Sequence, residues 1–283
     1  MQHFVLEKDG LSIADIGFGD CILGMDRLES SVDVVVTSPP YNVGTEYVDY
    51  VDKQDWGDYL DWSAQWIKRV AKRLTEDGSF FLNVGATPSR QTIPFAVLQM
   101  ALVHFKLQNT FIWIKSVAVE KEGSEEVYGH YQPINSARYV NSAHEYVFHL
   151  TKTGDVSLDR LSIGVPYKDA TNVARWQKGS HLHCRGSTWF IPYETVQKRE
   201  GVTSYPATFP VRLPELCLKL HGADKIKAVL DPFCGSGSTG VACARMGAPF
   251  VGFDTSRVAC EISKARIAEA VGESPESFQV VVV

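Results

Sequence analysis

The sequence predicts an α/β fold, because short apolar runs rich in β-branched residues alternate with stretches of helical periodicity. The run Val32–Thr37 predicts a buried strand, and it stops before Pro39 and Pro40, which cannot continue the ladder of a central strand. A helix follows at 56–74, where apolar residues recur at near-helical spacing. The same order of strand, loop and helix returns at 228–246. These observations together indicate an α/β sheet.

The remaining elements follow the same alternation. We predict strands at 79–84, 110–114, 145–150 and 250–254, and helices at 94–105, 213–220 and 261–270. A turn at 77–78 precedes the first of these strands. The pattern fails at 115–140, which is predicted to be a mobile loop, and again at 153–204, which has little periodicity.

The composition fits one large core and argues against several classes of protein. The 283 residues are 45% hydrophobic, and no stretch approaches the ~18 continuous apolar residues of a membrane span. The first residues lack the basic and then apolar profile of a secretory signal, so we expect a cytoplasmic protein with no membrane partner. The six cysteines form no Cys-x-x-Cys pair, which argues against a zinc ribbon or a disulfide framework. His181, His183 and Cys184 have no further partner at a suitable spacing, so no metal is predicted.

The net charge argues against a nucleic-acid-binding protein, but the distribution of charge is more favourable. The chain has 28 Lys and Arg against 33 Asp and Glu, which gives a net charge of −5. Residues 152–201 reverse this balance, with eight basic and five acidic side chains and aromatic residues between them. On charge alone, an ordinary solvated surface explains this segment equally well.

A glycine-rich loop at 232–237 predicts a cofactor site. It follows a strand and opens a helix, and Gly235 and Gly237 let the backbone approach a ligand closely. Asp254 ends the next strand, where a carboxylate can hold two ribose hydroxyls. The loop has neither the Gly-x-Gly-x-x-Gly of dinucleotide enzymes nor the Gly-Lys-Ser/Thr of a P-loop, so a nucleoside is favoured over a diphosphate. A tight turn without any ligand would also explain the loop by itself.

The segment Ser38-Pro-Pro-Tyr41 fits chemistry at an exocyclic amino group, although by itself a proline turn that ends a strand would be the favoured explanation. The amine of cytosine or adenine is a poor nucleophile because its lone pair is delocalised into the ring. Acceptors aimed at its hydrogens free that lone pair. Ser38 Oγ and the Pro39 carbonyl are the candidates, since the prolines keep that carbonyl out of a sheet. Tyr41 offers a flat face on which an extruded base can stack, and group transfer to the nitrogen then depends on positioning and electrostatics.

These motifs resemble those of the amino-group DNA methyltransferases of the N4-cytosine and N6-adenine type. The loop at 231–239 is similar to their S-adenosylmethionine loop, and Ser38-Pro-Pro-Tyr41 to their Asp/Asn/Ser-Pro-Pro-Tyr motif. His144-Glu145 and the segment 205–215 resemble two further family segments, although Tyr205 stands where the family usually has His. The catalytic motif precedes the cofactor loop by about 190 residues, which matches the permuted β group. The resemblance covers roughly 15–152 and 205–270.

The resemblance implies a Rossmann-like S-adenosylmethionine-dependent methyltransferase fold with a mostly parallel sheet, a reversed edge strand and a circularly permuted motif order. The catalytic domain would comprise 1–152 and 205–283, and 153–204 would be a small target-recognition region. The implied catalytic residues are Ser38, Pro39, Pro40 and Tyr41. The implied cofactor-binding residues are Asp20, Phe209, Asp231, Phe233, Gly235, Ser236, Gly237 and Asp254. Arg175, Lys178 and Arg185 are candidate phosphate contacts.

The implied activity is transfer of methyl from S-adenosylmethionine to N4 of a cytosine flipped out of double-stranded DNA. Ser38 and the Ala-x-Phe-Pro form at 207–210 are commoner in N4-cytosine members, and N6-adenine methylation is the alternative. A C5-cytosine enzyme needs a Pro-Cys nucleophile, which this sequence lacks. Glutamine methyltransferases use Asn-Pro-Pro-Tyr but normally place the cofactor loop first. RNA methylation and a catalytically silent nucleic-acid-binding protein stay open as further alternatives.

The family also suggests partners. One small recognition module reads few bases, which favours a homodimer. A cognate restriction endonuclease is a further expected partner, in a prokaryotic cytoplasm or a phage-encoded system. No motif identifies the recognition sequence.

Overall fold

The computed structural model describes residues 1–46, 49–121, 123–129, 135–168, 181–192 and 208–282. Its strands are β1 (Gln2–Lys8), β2 (Leu11–Phe18), β3 (Val32–Thr37), β4 (Leu74–Val84), β5 (Lys106–Ile114), β6 (Ser116–Lys121), β7 (Ser124–Gly129), β8 (His144–Thr151), β9 (Val165–Pro166), β10 (Leu182–His183), β11 (Thr188–Phe190), β12 (Val229–Asp231), β13 (Phe250–Asp254) and β14 (Gln279–Val282). Its α-helices are α1 (Cys21–Arg27), α2 (Trp56–Arg73), α3 (Ile93–Ala101), α4 (Arg212–His221), α5 (Ser238–Met246) and α6 (Arg257–Val271).

A ten-stranded sheet organises the molecule, in the order β11-β5-β8-β4-β3-β12-β13-β2-β1-β14. The central strands β4, β3, β12, β13 and β2 are mutually parallel, as the predicted mostly parallel sheet requires. Among the described strands of this sheet, β8 and β1 run in the opposite direction. The predicted reversed edge strand is therefore wrong in its position, because β8 pairs on both sides, with β4 and with β5.

The sheet is buried between two layers of helices. Alternate residues of a strand point to opposite faces, so Val34 and Val36 of β3 join one core while Val35 joins the other. The first core contains apolar residues of α4, α5 and α6, and the second contains those of α1, α2 and α3. Helix α2 begins where the Asp55 side chain accepts a hydrogen bond from Gly57 N, and its buried residues lie on one face. The fold is thus the Rossmann-like three-layer arrangement expected from the sequence.

Several local predictions differ from the structure. The predicted turn at 77–78 lies inside β4, which follows α2 directly and changes register against β3 at this place. The predicted loop at 115–140 contains the antiparallel ribbon β6–β7, which turns at Gly123, where φ is +80°. Its charged residues hid the alternation of Val117, Val119 and Val127. None of the described helices is long and apolar enough to cross a membrane.

Parts of the predicted recognition region belong to the main core. Strand β11 extends the large sheet beside β5, and Trp189 is buried there and stacks on Phe111 at 4.3 Å. Val156 and Ile163 are also buried. Between these core segments, β9 and β10 form a separate two-stranded ribbon. The predicted recognition region 153–204 therefore does not lie wholly outside the core, because several of its described residues are part of that core.

Candidate active site

A cleft opens at the carboxyl edge of the parallel strands. Its volume is about 860 Å³, a figure that includes space open to solvent. Segments that follow β2, β3, β12 and β13 form its walls, which is the usual position of ligands in open α/β sheets. The sequence-predicted residues that line it are Asp20, Ser38, Pro40, Phe209, Phe233, Gly235, Ser236 and Asp254.

The glycine-rich loop turns sharply between β12 and α5. Gly237 has a φ of +79°, and a Cβ at this residue would stand 2.2 Å from Ser263 Oγ, so only glycine fits. Gly235 also has a positive φ, of +50°, and its N–H donates to Asp254 Oδ2 at 2.9 Å. Arg266 donates to the carbonyl oxygen of Ser236 at 2.6 Å. The loop is thus held open toward the cleft by contacts from β13 and α6.

Asp231 shapes this loop from behind. Its carboxylate is buried and accepts from Thr37 Oγ1 at 2.6 Å, from Thr239 Oγ1 at 2.7 Å and from Phe233 N at 3.1 Å. Burial raises the pKa of Asp231 to about 6, against the hydrogen bonds from the two threonines, which lower it. Asp231 and Gly237 were predicted as cofactor contacts, but neither lines the cleft. The carboxylate instead ties β12 to β3 and α5.

Two carboxylates and an aromatic wall face the cleft. Asp20 caps α1 by accepting from Ile22 N and Leu23 N, and Gly19 N donates to the Asp254 carbonyl at 2.8 Å. Trp62 lies 5.4 Å from Phe233 and 6.0 Å from Tyr50, measured between ring centroids. These groups fit a nucleoside that carries a sulfonium. Carboxylates accept from ribose hydroxyls, and aromatic faces attract a cation.

The amino-group motif lies directly beside this wall. Ser38 Oγ is 2.7 Å from Tyr41 Oη, and Tyr41 Oη donates to Glu145 Oε2 at 3.0 Å. Lys115 Nζ then forms an ion pair with Glu145 Oε1 at 2.8 Å. Burial and the nearby Glu145 carboxylate raise the pKa of Tyr41 well above its ordinary value, so the phenol stays neutral.

Hydrogen bonds from helix α2 and from the loop after the motif hold the motif in place. Tyr59 Oη donates to the Pro40 carbonyl at 2.9 Å. Asn42 has a φ of +58°, and its N–H donates to the buried carboxylate of Asp52 at 2.7 Å. Pro39 and Tyr41 do not line the cleft, although Tyr41 is bonded to Ser38, which does.

Sequence reasoning missed part of this site. Pro232 and Cys234 belong to the loop predicted at 232–237 but were not singled out, and the other additional lining residues are Gly19, Cys21, Tyr50, Trp62, Thr208, Ser238 and Thr255. Trp62 was assigned to the helix core by its spacing, which cannot distinguish a residue at the cleft wall from one deeper inside. Glu145 was part of a quoted motif without a role, and Lys115 carried no signal at all.

Of the three predicted phosphate contacts, the structure describes only Arg185. Arg175 and Lys178 lie outside the described residues. Arg185 is half-buried, and its Nε donates to the Ile163 carbonyl at 2.9 Å. This bond gives Arg185 a local packing role that the prediction did not include.

Comparison with known proteins identifies the family. A model described as DNA methylase, of the N6 and N4 type, matches residues 32–265. The chain belongs to this DNA methylase family. The predicted family is confirmed, and with it the permuted, Rossmann-like methyltransferase fold and a DNA substrate.

Relatives and solved structures extend the match over most of the chain. Type II methyltransferase M.ScaI of Streptomyces caespitosus is 28% identical over 86% of this chain and 76% of its own. DNA adenine methyltransferase YhdJ of Escherichia coli K12 is 25% identical over 92% of this chain and 84% of its own. The structure of PvuII DNA methyltransferase (cytosine-N4-specific) has a TM-score of 0.66 at 20% identity and covers 92% of this chain and 91% of its own.

A second structural neighbour concerns the cofactor. The DNA modification methylase TTHA0409 of Thermus thermophilus, complexed with S-adenosyl-L-methionine, has a TM-score of 0.58 at 22% identity, over 90% of this chain and 93% of its own. S-adenosylmethionine is the cofactor of the family, and the cleft has the donors, acceptors and aromatic faces that it needs.

Proposed function

We propose that this DNA methyltransferase modifies N4 of cytosine. The observation that carries the proposal is Ser38, a neutral hydroxyl at the first position of the amino-group motif, on the wall of the cofactor cleft. The N4-specific name of the PvuII structural neighbour supports it, and the name of the adenine-specific relative YhdJ favours N6-adenine as the second candidate.

The chemistry follows from the residues around the cleft. The cofactor supplies a sulfonium-bound methyl group, and the amine nitrogen must present its lone pair to it. Ser38 Oγ and the Pro39 carbonyl accept hydrogen bonds from the two amine hydrogens and draw the nitrogen toward sp³ geometry. Methyl transfer would form the N–C bond at the expense of the cofactor's S–C bond, and the proton that the nitrogen loses would pass to water in the open cleft. The flipped base would rest beside the cofactor cleft against the ring of Tyr41, which is hydrogen-bonded to Ser38 but does not itself line that cleft.

The cofactor contacts in this proposal are those that line the cleft. Asp254 and Asp20 lie where carboxylates would accept from the nucleoside, and Gly235 and Ser236 bring backbone close to the methionine part. Phe209, Phe233 and Trp62 would enclose the adenine and sulfonium. Asp231 and Gly237 would act indirectly, because they set the shape of the loop.

Target recognition is proposed for 153–204, and most of all for the part between β9 and β10. In sequence, the basic residues Arg175 and Lys178 fall between the two strands of this ribbon. Phosphate contacts by these residues and by Arg185 would position double-stranded DNA. A homodimer is proposed because one small module reads few bases. A paired restriction endonuclease is proposed as a further partner.

The test of the modified base is direct. Labelled methyl is transferred from S-adenosylmethionine to mixed-sequence double-stranded DNA, which is then digested to nucleosides and separated by mass spectrometry. We expect label in N4-methylcytosine. Label in N6-methyladenine would keep the enzyme class but show that Ser38 does not decide the base. Absence of label in DNA, RNA and protein would favour a silent nucleic-acid-binding protein.

A further inference from the structure

A chain of hydrogen bonds runs from the cleft into the protein behind Ser38. It passes from Ser38 Oγ to Tyr41 Oη at 2.7 Å, from Tyr41 Oη to Glu145 Oε2 at 3.0 Å, and from Glu145 Oε1 to Lys115 Nζ at 2.8 Å. Its members come from three places in the fold, namely the end of β3, the start of β8 and the residue between β5 and β6. The chain ends in an ion pair whose side chains are largely shielded from solvent, at 23% and 14% exposure.

The direction of these hydrogen bonds follows from which groups carry hydrogens. The Glu145 carboxylate and the Asn83 carbonyl, which lies 3.4 Å from Tyr41 Oη, can only accept. The single phenolic hydrogen of Tyr41 is therefore committed to them. Ser38 must then donate its own hydrogen to Tyr41 Oη. Both lone pairs of Ser38 Oγ are left for the cleft, where an amine hydrogen needs an acceptor.

We propose that Glu145 is a positioning residue that acts through Tyr41 to keep the Ser38 hydroxyl in its accepting orientation toward the substrate amine. The proposal rests on the proposed function, in that it assumes an amino group at Ser38, but it holds for cytosine N4 and adenine N6 alike. Lys115 supports this role, because its ammonium binds one carboxylate oxygen of Glu145 and leaves the other to accept from Tyr41.

Tight packing around the chain supports this role. A Cβ at Gly85 would stand 2.9 Å from the Glu145 carboxyl carbon and 3.0 Å from the ring of Tyr41. The phenol stays neutral because burial and Glu145 raise the pKa of Tyr41, so its hydrogen is present at any working pH. The hydroxyl of Ser38 is therefore directed by a closely packed phenol that keeps its hydrogen.

The first test is the variant Glu145→Gln. The amide oxygen of glutamine would stay with Lys115, which needs an acceptor, and its NH₂ group would face Tyr41 as a donor. The Tyr41 hydrogen would then turn to Ser38 Oγ, which is nearer than the Asn83 carbonyl, and the Ser38 hydrogen would point into the cleft. We expect kcat to fall about 10- to 100-fold, with the Kd of S-adenosylmethionine changed less than about twofold. Glu76→Gln is the matched control, because it breaks an exposed Lys–Glu pair of the same 2.8 Å length and should leave kcat unchanged.

The second test is a double-mutant cycle with Tyr41→Phe. This variant removes the link while keeping the ring, so it should lower kcat by a similar factor. If Glu145 acts only through Tyr41, the double variant Tyr41→Phe with Glu145→Gln should be no slower than Tyr41→Phe alone. Factors that multiply in the double variant would show independent roles and would overturn the proposal.

The third test is rescue. In the Glu145→Gln background, Lys115→Met removes the group that holds the amide oxygen, so the glutamine can rotate and accept from Tyr41 again. We expect this double variant to be at least threefold faster than Glu145→Gln alone. A further loss of rate would indicate that the ion pair only supports the fold, and so would contradict the proposal. Thermal melting of each variant identifies those that fail to fold.

The same measurements separate this proposal from the proposed function. Label transferred to DNA by the unaltered protein tests the function, and the ratios of variant to unaltered rate test Glu145. An unaltered protein that methylates DNA, with Glu145→Gln equally fast, would overturn the positioning role and leave the enzyme class intact. An unaltered protein that binds S-adenosylmethionine but methylates no nucleic acid would remove both.

Discussion

Two polar clusters occupy the same face of β4 and β8, one at each end. At the carboxyl end of β4, Tyr41 and Glu145 stand behind Ser38 on the cleft wall. At the other end, Ser79 Oγ lies 2.9 Å from His149 Nε2 and 2.9 Å from His221 Nδ1. Glu145 and His149 are four residues apart on one strand, which is about 13 Å, and the apolar side chain of Val147 separates them.

The two clusters differ in where their last hydrogen-bonding group points. Ser38 faces an open cleft, so its lone pairs are available to a ligand. Ser79 and His149 have no exposed surface, and Asn109 Nδ2 lies 3.1 Å from His149 Nδ1. The side chains of this second cluster are buried and hydrogen-bond to one another or to Asn109, so none of them faces a ligand site. A polar cluster in a core therefore indicates function only when one member is left with an acceptor or donor that faces a cavity.

The variant Ser38→Ala should show the largest difference between the two clusters, as a loss of kcat. Removal of the acceptor should lower kcat about 10²- to 10³-fold, since one preorganised hydrogen-bonding group in an active site has about this effect. The Kd of S-adenosylmethionine, measured by titration calorimetry, should stay within about twofold, and the free energy of unfolding should change little. An equal loss of cofactor affinity would contradict the role assigned to Ser38.

Ser79→Ala should show the opposite pattern. It removes the common partner of two buried imidazoles, and each unsatisfied group costs about 1–3 kcal/mol, so a loss of about 2–4 kcal/mol in the free energy of unfolding is expected. The measurement is urea denaturation followed by circular dichroism. The kcat of the folded fraction should match that of the unaltered protein. A large loss of kcat without loss of stability would mean that the second cluster communicates with the cleft.

Much of this molecule could be predicted from the sequence because its signals are local. The strand β3 and its stop at Pro39 and Pro40, the glycine loop and the helix that follows it each lie within a dozen residues. Gly235 and Gly237 were identifiable because two glycines stand close together between a predicted strand and a predicted helix. These features depend on the chain nearby and need no knowledge of distant partners.

The features that escaped prediction depend on pairs that are distant in sequence. Glu145 meets Tyr41 across 104 residues and Lys115 across 30, and no spacing rule joins them. Asp231 was assigned to the cofactor because of its place in the motif, whereas its buried partners Thr37 and Thr239 turn it inward. The N-terminal hairpin β1–β2 and the strand β14 extend the sheet by strand pairing that the sequence pattern did not reveal.

The smallest expected effect concerns the acid side of the stability profile. Burial lowers the pKa of His149 to about 3, with a further lowering by His221, and burial lowers that of His221 as well, although Asp33, Asp224 and Asp77 oppose it and Lys225 assists it. The unfolded chain binds protons on these groups below about 6.5, and the folded chain does not. For His149, stability is therefore lost as the pH falls from about 6.5 toward 3, by up to about 1.4 kcal/mol per pH unit, and the lowered pKa of His221 acts in the same direction.

Asp231 acts in the opposite direction, since its folded pKa of about 6 lies above its ordinary value of 3.8 and stability is gained as the pH falls between these values. The variant His149→Gln isolates the histidine from this opposing effect, because glutamine can still bond to Ser79 but does not titrate. From pH 6.5 to pH 5, its loss of unfolding free energy should be smaller than that of the unaltered protein by about 1.7 kcal/mol. The measurement is the urea midpoint of both proteins at both pH values. Equal losses would show that His149 takes up its proton in the folded protein as readily as in the unfolded chain, and would contradict its assignment to a cluster closed to solvent.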